Sequence, residues 1–143
     1  MRAHRFALAA TLCTAFALPL AAQEQAPVYP TPQAALEALF GAITAGNPAG
    51  AAAAIGPSAS DLVDSDDPVA TVETLADLSA AYLEGYRFVP AGAGAITIEL
   101  GVDGWPFPVP LVRAGDGWSF DAEAARAEIL ARRVGGNELD VLD

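Results

Sequence analysis

The sequence predicts an α+β domain in which N-terminal helices pack on a small antiparallel sheet of about four strands, followed by a C-terminal helix. Three observations carry that expectation. Apolar residues recur at helical spacing from Pro32 to Glu84 and change to strict alternation after Gly85. Proline opens and glycine closes successive apolar segments. A second helical pattern returns after Asp121.

The chain begins with the basic stretch MRAHR, an apolar run of 15 residues and the small-residue segment AAQEQA, the layout of a secretory signal peptide over 1–22. The run is shorter than the ~20 residues a membrane-spanning helix needs. It holds Cys13 and follows His4, so the mature chain has neither cysteine nor histidine; lysine is absent throughout. Removing Arg2 and Arg5 leaves five arginines against 18 acidic residues, a formal charge of −13. Such a chain is repelled by phosphate backbones and anionic headgroups, so neither nucleic acid nor a membrane surface is an expected partner. The expected location is periplasmic or extracellular.

Residues 23–30 read as an extended leader, and 31–143 as a single domain that is short at its C-terminus. In TPQAALEALFGAITAG, Thr31 is the expected N-cap, Pro32 the first helical residue and Gly46 the stop, with Leu36, Leu39, Phe40 and Ile43 on one face. NPAGAAAAIG repeats that grammar, with Asn47 as cap. PSASDLVDSDDP reads as an acidic loop. A third helix is expected from Pro68, capped by Asp67, burying Val69, Val72, Leu75, Leu78 and Tyr82.

YRFV and AITIEL have strand composition, the second with Ile96, Ile98 and Leu100 on one face. WPFPVPLVRA places proline at alternate positions. Pro106, Pro108 and Pro110 strip donors from one edge alone, so the strand is expected to pair fully with AITIEL along its other edge. The proline edge resists pairing with a further strand or a second copy. Trp105, Phe107, Val109 and Leu111 then face the core until Arg113 leaves it. An even-numbered loop at AGDG puts Trp118 and Phe120 on that same face. Asp121 is the expected cap of a fourth helix with Ala125, Ile129 and Leu130 inward. Arg132 and Arg133 fall in its last turn and Gly135 and Gly136 end it, with Asn137 capping a further turn.

The segments DPVA, DGWPFPVPLVRAGDGWSFD and EILARRVGGNEL resemble the domain of unknown function 2950 family of secreted bacterial proteins, from about Pro30 to Leu139. The resemblance implies more chain beyond NEL, since members commonly continue into a second half, and it brings no established activity. The helix-then-sheet order is also similar in architecture to the cone fold of nuclear-transport-factor-like domains, which licenses no function.

Without histidine, cysteine or lysine in the mature chain, Ser-His-Asp and Cys-His sets, the usual zinc ligands and Schiff-base chemistry are closed. Carboxylates remain, but Asp103 and Asp116 lie at opposite ends of a strand of ~3.3 Å per residue, too far apart for paired acid–base chemistry. DLVDSDDP lacks the spacing of a calcium loop. No cofactor and no metal is expected. Two candidate sites remain. Trp105, Phe107 and Trp118 are candidates to line an apolar ligand pocket, with plain core residues as the simpler reading. Arg113, Arg132 and Arg133, with Leu139 and Leu142, are candidates for contact with a partner or an anion. The expected function is therefore non-catalytic binding of a protein partner or self-association, with a small-ligand cone as the alternative and a carboxylate hydrolase as the remote third.

Overall fold

The computed structural model describes residues 25–64 and 68–140, giving the backbone alone for Pro68 and 136–140. The expected signal segment, the Asp67 cap and Leu142 lie outside the described residues.

Helix α1 (Pro32–Thr44) begins as its sequence dictates, with the Thr31 hydroxyl accepting from the Ala34 amide at 3.1 Å. Its buried face is Ala35, Leu36, Leu39, Phe40 and Ile43. Helix α2 (Pro48–Ile55) is capped by Asn47, whose Oδ1 accepts from Gly50 at 2.9 Å. Within the expected acidic loop a single helical turn forms, α3 (Ser60–Val63). Helix α4 (Pro68–Glu84) follows.

Four strands then run as a simple antiparallel meander in the order β1-β2-β3-β4: β1 (Tyr86–Pro90), β2 (Ala95–Leu100), β3 (Trp105–Ala114) and β4 (Gly117–Phe120). Helix α5 (Ala122–Asp140) closes the described chain, with Asp121 Oδ1 accepting from Ala124 at 2.9 Å. The α+β expectation therefore holds. The core lies where α1 meets the sheet, with Phe40, Leu36, Leu39, Ile98, Leu100 and Leu111 all fully buried.

Sequence and structure differ at several places, four of which concern α4, α5 and the proline strand. Val69 and Val72 are 67% and 66% exposed. The buried stripe of α4 runs through Thr71, Leu75, Leu78 and Tyr82 instead, spacings of four, three and four that stay on one face of a 3.6-residue helix. Leu130, expected inward on α5, is 61% exposed. Helix α5 also passes through Gly135 and Gly136, so no new helix begins at Asn137, and Arg132 and Arg133 are mid-helix rather than in a last turn. Glycine costs only about 1 kcal/mol relative to alanine inside a helix, and no proline enforces a stop.

The fourth difference is in the proline strand. Ile96 pairs with Leu111 but Ile98 with Phe107, so Thr97 alone faces Pro108, Val109 and Pro110. Proline holds φ near −65°, far from the roughly −140° of antiparallel strands, and the ladder is interrupted where two prolines flank one residue. Pairing with β2 is thus broken rather than full. The surplus on β3 is even, so faces are preserved, and Phe107, Val109 and Leu111 all stay buried. On its other edge β3 pairs with β4 only from Leu111 to Ala114, and Pro110 contributes its carbonyl to the Asp121 amide. The edge at Pro106 and Pro108 lies beyond the end of β4, as the alternating prolines require.

The expected leader is pinned as well as extended. Tyr29 bridges to Trp118 through two backbone hydrogen bonds of 2.7 and 2.8 Å, and its hydroxyl donates to the Ala54 carbonyl at 2.8 Å. Burial raises the pKa of that phenol. Gly117 admits this approach because any Cβ there would meet the Tyr29 carbonyl oxygen at 2.5 Å.

Candidate functional site

A concavity of the described residues lies between α4 and α5, with α3 at one end. Its depth is apolar: Leu39 and Ile43 from α1, Leu75 and Leu78 from α4, and Phe107 and Val109 from β3 surround a cleft of about 180 Å³. Trp105 stands at the rim, 44% exposed, its ring 6.4 Å from that of Phe107 and edge-on to it. Leu62, Val63, Thr74 and Ile129 join this depth to a wider mouth of about 430 Å³ carrying Asp61, Asp64, Thr71, Arg126, Leu130 and Arg133. Residues 126, 129, 130 and 133 are one face of α5 at helical spacing, and that face looks into the groove.

Arg126 links this wall to α3. Its Nε and Nη2 donate to both carboxylate oxygens of Asp61 at 2.8 and 2.7 Å, Nη1 to Glu123 at 2.5 Å, and Nη2 also to the Ser58 carbonyl. A planar guanidinium matches a carboxylate in this two-point manner. The hydrogen bond lowers the Asp61 carboxyl below its ordinary value, and the Arg126 guanidinium is raised by the same bond. Sequence reasoning missed both residues. Asp61 was submerged in an acidic loop, and Arg126 is separated from it by 65 positions.

The aromatic candidates divide. Trp105 and Phe107 share the cleft, whereas Trp118 sits at the far end of β3 with the Arg113 guanidinium 4.6 Å above its ring. The cationic candidates divide in the same way. Arg132 pairs with Glu128 at 2.7 Å and lies 5.5 Å from the Trp105 ring, and Arg133 lines the mouth of the groove. Arg113 is at the opposite end of β3, on the order of 25 Å away along the strand, so the three arginines form no single cluster. Leu139 is in α5, but its side chain and Leu142 lie outside what is described.

Among the described residues no group of three acidic, cysteine or histidine side chains is placed to hold a metal ion. No helix among them is long and apolar enough to cross a membrane. The only buried polar side chains among them are Thr71 and Ser119, and no buried side-chain polar atom lacks a partner.

Fold and groove together define an α+β domain with its helices on one face of a four-stranded meander and an apolar cleft under an ionic mouth. The chain belongs to the DUF2950 family, described as a protein of unknown function, whose model matches residues 26–143. No curated protein and no solved structure matches it.

Proposed function

We propose that this is an exported, non-catalytic binding domain whose α4/α5 groove receives an apolar side chain of a protein partner. The observation that carries the reading is the two-part groove. A deep apolar cleft opens under a mouth edged by Arg133, and beside it Leu130 and Val134 are 61% and 49% exposed on consecutive turns of α5. Apolar residues exposed beside a cleft are the ordinary mark of an interaction surface.

The size of the cleft favours a protein anchor over a free small molecule. The apolar depth, about 180 Å³, is below the roughly 300–1,000 Å³ of small-molecule sites, and the mouth of about 430 Å³ that continues it is open and edged by charged side chains. Interface energy concentrates in anchors that fill such pockets. Of the two carboxylates lining the mouth, Asp61 and Asp64, Asp61 is already engaged by Arg126, which leaves the groove better suited to recognition than to paired-carboxylate chemistry. The proposal of export rests on the basic, apolar and small-residue segments of 1–22.

A photo-crosslinking side chain at Leu130, introduced in the native host, tests the reading against the same group at Val102, which is 80% exposed on the turn between β2 and β3. A polypeptide adduct at Leu130 that is absent at Val102 and lost on Arg133→Glu is the expected result. The same adducts at both positions, or none at Leu130, would overturn it.

A further inference from the structure

Helix α4 carries a second apolar stripe beside the face it gives to the core, and the trough it borders meets the α4/α5 groove at Ile43 and Leu75. Val72, Ala76, Ser79 and Leu83 recur at i, i+4, i+7 and i+11, a single stripe on an α-helix. Val72 and Leu83 are 66% and 72% exposed. The stripe forms one wall of a trough of about 430 Å³ whose opposite wall is Ile43, Thr44 and Pro48. Thr44 and Ser79, one from each wall, meet through their exposed hydroxyls at 3.2 Å. Small residues stand at the centre of the stripe and large ones at its ends, and the stripe spans about 17 Å, three helical turns.

Its charge is one-sided. On the helical wheel Glu73 flanks the stripe on its solvent side, about 90° from its centre, with Asp77 farther round on that side, and Glu37 of α1 lies beyond the Leu83 end, where Glu37, Tyr82 and Leu83 share a hollow. The Tyr82 phenol is raised, by burial first and then by Tyr86 and Glu37. Helices α1 and α4 contain no cationic residue at all.

We propose that this trough is a docking site for a basic amphipathic helix of a partner protein, one that sets apolar side chains at i, i+3 or i+4 and i+7 into the stripe and lysines or arginines against Glu73, Asp77 and Glu37. The spacing selects a helix, because a trough along one helix is filled by side chains recurring every three to four residues. The carboxylate border selects its charge. A second copy of this chain is disfavoured by the same border, since pairing two such faces sets acid against acid within chains that each carry a net charge of −11. This site goes beyond the α5 groove and stands or falls separately from it.

The test uses two synthetic helical peptides of about 14 residues with identical leucine spacing, one flanked by lysine and one by glutamate, titrated into the isotopically labelled protein. The lysine peptide is expected to bind and to shift the amides of Val72, Ala76, Ser79 and Leu83, with the glutamate peptide inert. Leu83→Ser, at an exposed position, should weaken binding about tenfold with an unchanged melting temperature. Glu73→Lys with Asp77→Lys should transfer binding to the glutamate peptide, while Asp103→Lys with Asp116→Lys, on distant turns, should leave the lysine peptide's affinity within about twofold. Equal binding of both peptides, no binding, shifts confined to α5, or equal sensitivity to the distant charge reversals would overturn the proposal. Concentration-dependent dimerisation abolished by Leu83→Ser would overturn it in favour of a second copy.

Discussion

Helices α1 and α5 both rest on the same sheet and are held there by opposite means. The 13 residues of α1 bury five side chains in one continuous stripe, with Phe40 stacked on Tyr82 at 4.5 Å and 5.6 Å from Phe107. The 19 residues of α5 fully bury only Ala125 among their described side chains, and the helix is tied to α3 by the guanidinium of Arg126. Apolar burial is non-directional and scales with area, so α1 has little freedom to move without losing its stability. An ion pair at an exposed site contributes little and can be exchanged for water. Length therefore says nothing about attachment here. The longest helix of the described chain completely buries a single described side chain, fewer than α1, α2 or α4.

Four experiments break or sharpen this contrast. Phe40→Ala should have the largest effect, about 3–5 kcal/mol of lost stability, because it empties a fully buried site that α1, α4 and β3 share; denaturant titration measures it. Gly135→Ala should stabilise by up to about 1 kcal/mol, since the position is helical and a Cβ there meets nothing within 4 Å. If that substitution destabilises the protein, α5 does not run through the glycines.

Arg126→Gln should change the melting temperature less than either, yet raise amide hydrogen exchange throughout α5 while leaving α1 protected. Equal loosening of both helices would refute the contrast. The smallest effect is a pH dependence. The Asp61 carboxyl is depressed below its ordinary 3.8 in the folded state by the Arg126 hydrogen bond. Its contribution is therefore complete above about pH 3.8 and is lost as pH falls through the lower folded value. Exchange in α5 should rise over that acidic window in the parent protein, and Asp61→Asn should already show the raised exchange at neutral pH.

The two helices also mark how far the sequence could be read. The stripe of α1 was legible because Leu36, Leu39, Phe40 and Ile43 sit at i, i+3, i+4 and i+7 between a Thr-Pro start and a glycine stop, and the structure buries all four. On α4 the same reasoning misplaced Val69 and Val72. Two apolar stripes cross that helix, and periodicity alone does not say which one the core takes. The end of α5 was misjudged because paired glycines lower helix propensity by an amount that neighbouring turns can carry.

Of the candidate site, Trp105, Phe107 and Arg133 reached the same groove, whereas Arg113 and Trp118 found each other at the far end of β3. Alternation in a strand assigns a face but not a position along it, and a strand of ten residues is long enough to hold two separate sites.

What the sequence determined by itself was local: helix starts through side-chain caps and prolines, strand faces through alternation, and an edge without donors through Pro106 and Pro108. These follow from covalent geometry and hydrogen bonds within a few residues. Tertiary structure alone decided which stripe of α4 is core, that the prolines would interrupt the β2–β3 ladder, and that Arg126 would meet Asp61 across 65 positions of chain. Each is a contest between surfaces distant in sequence, won by whichever packing buries more apolar area and leaves no polar group without a partner.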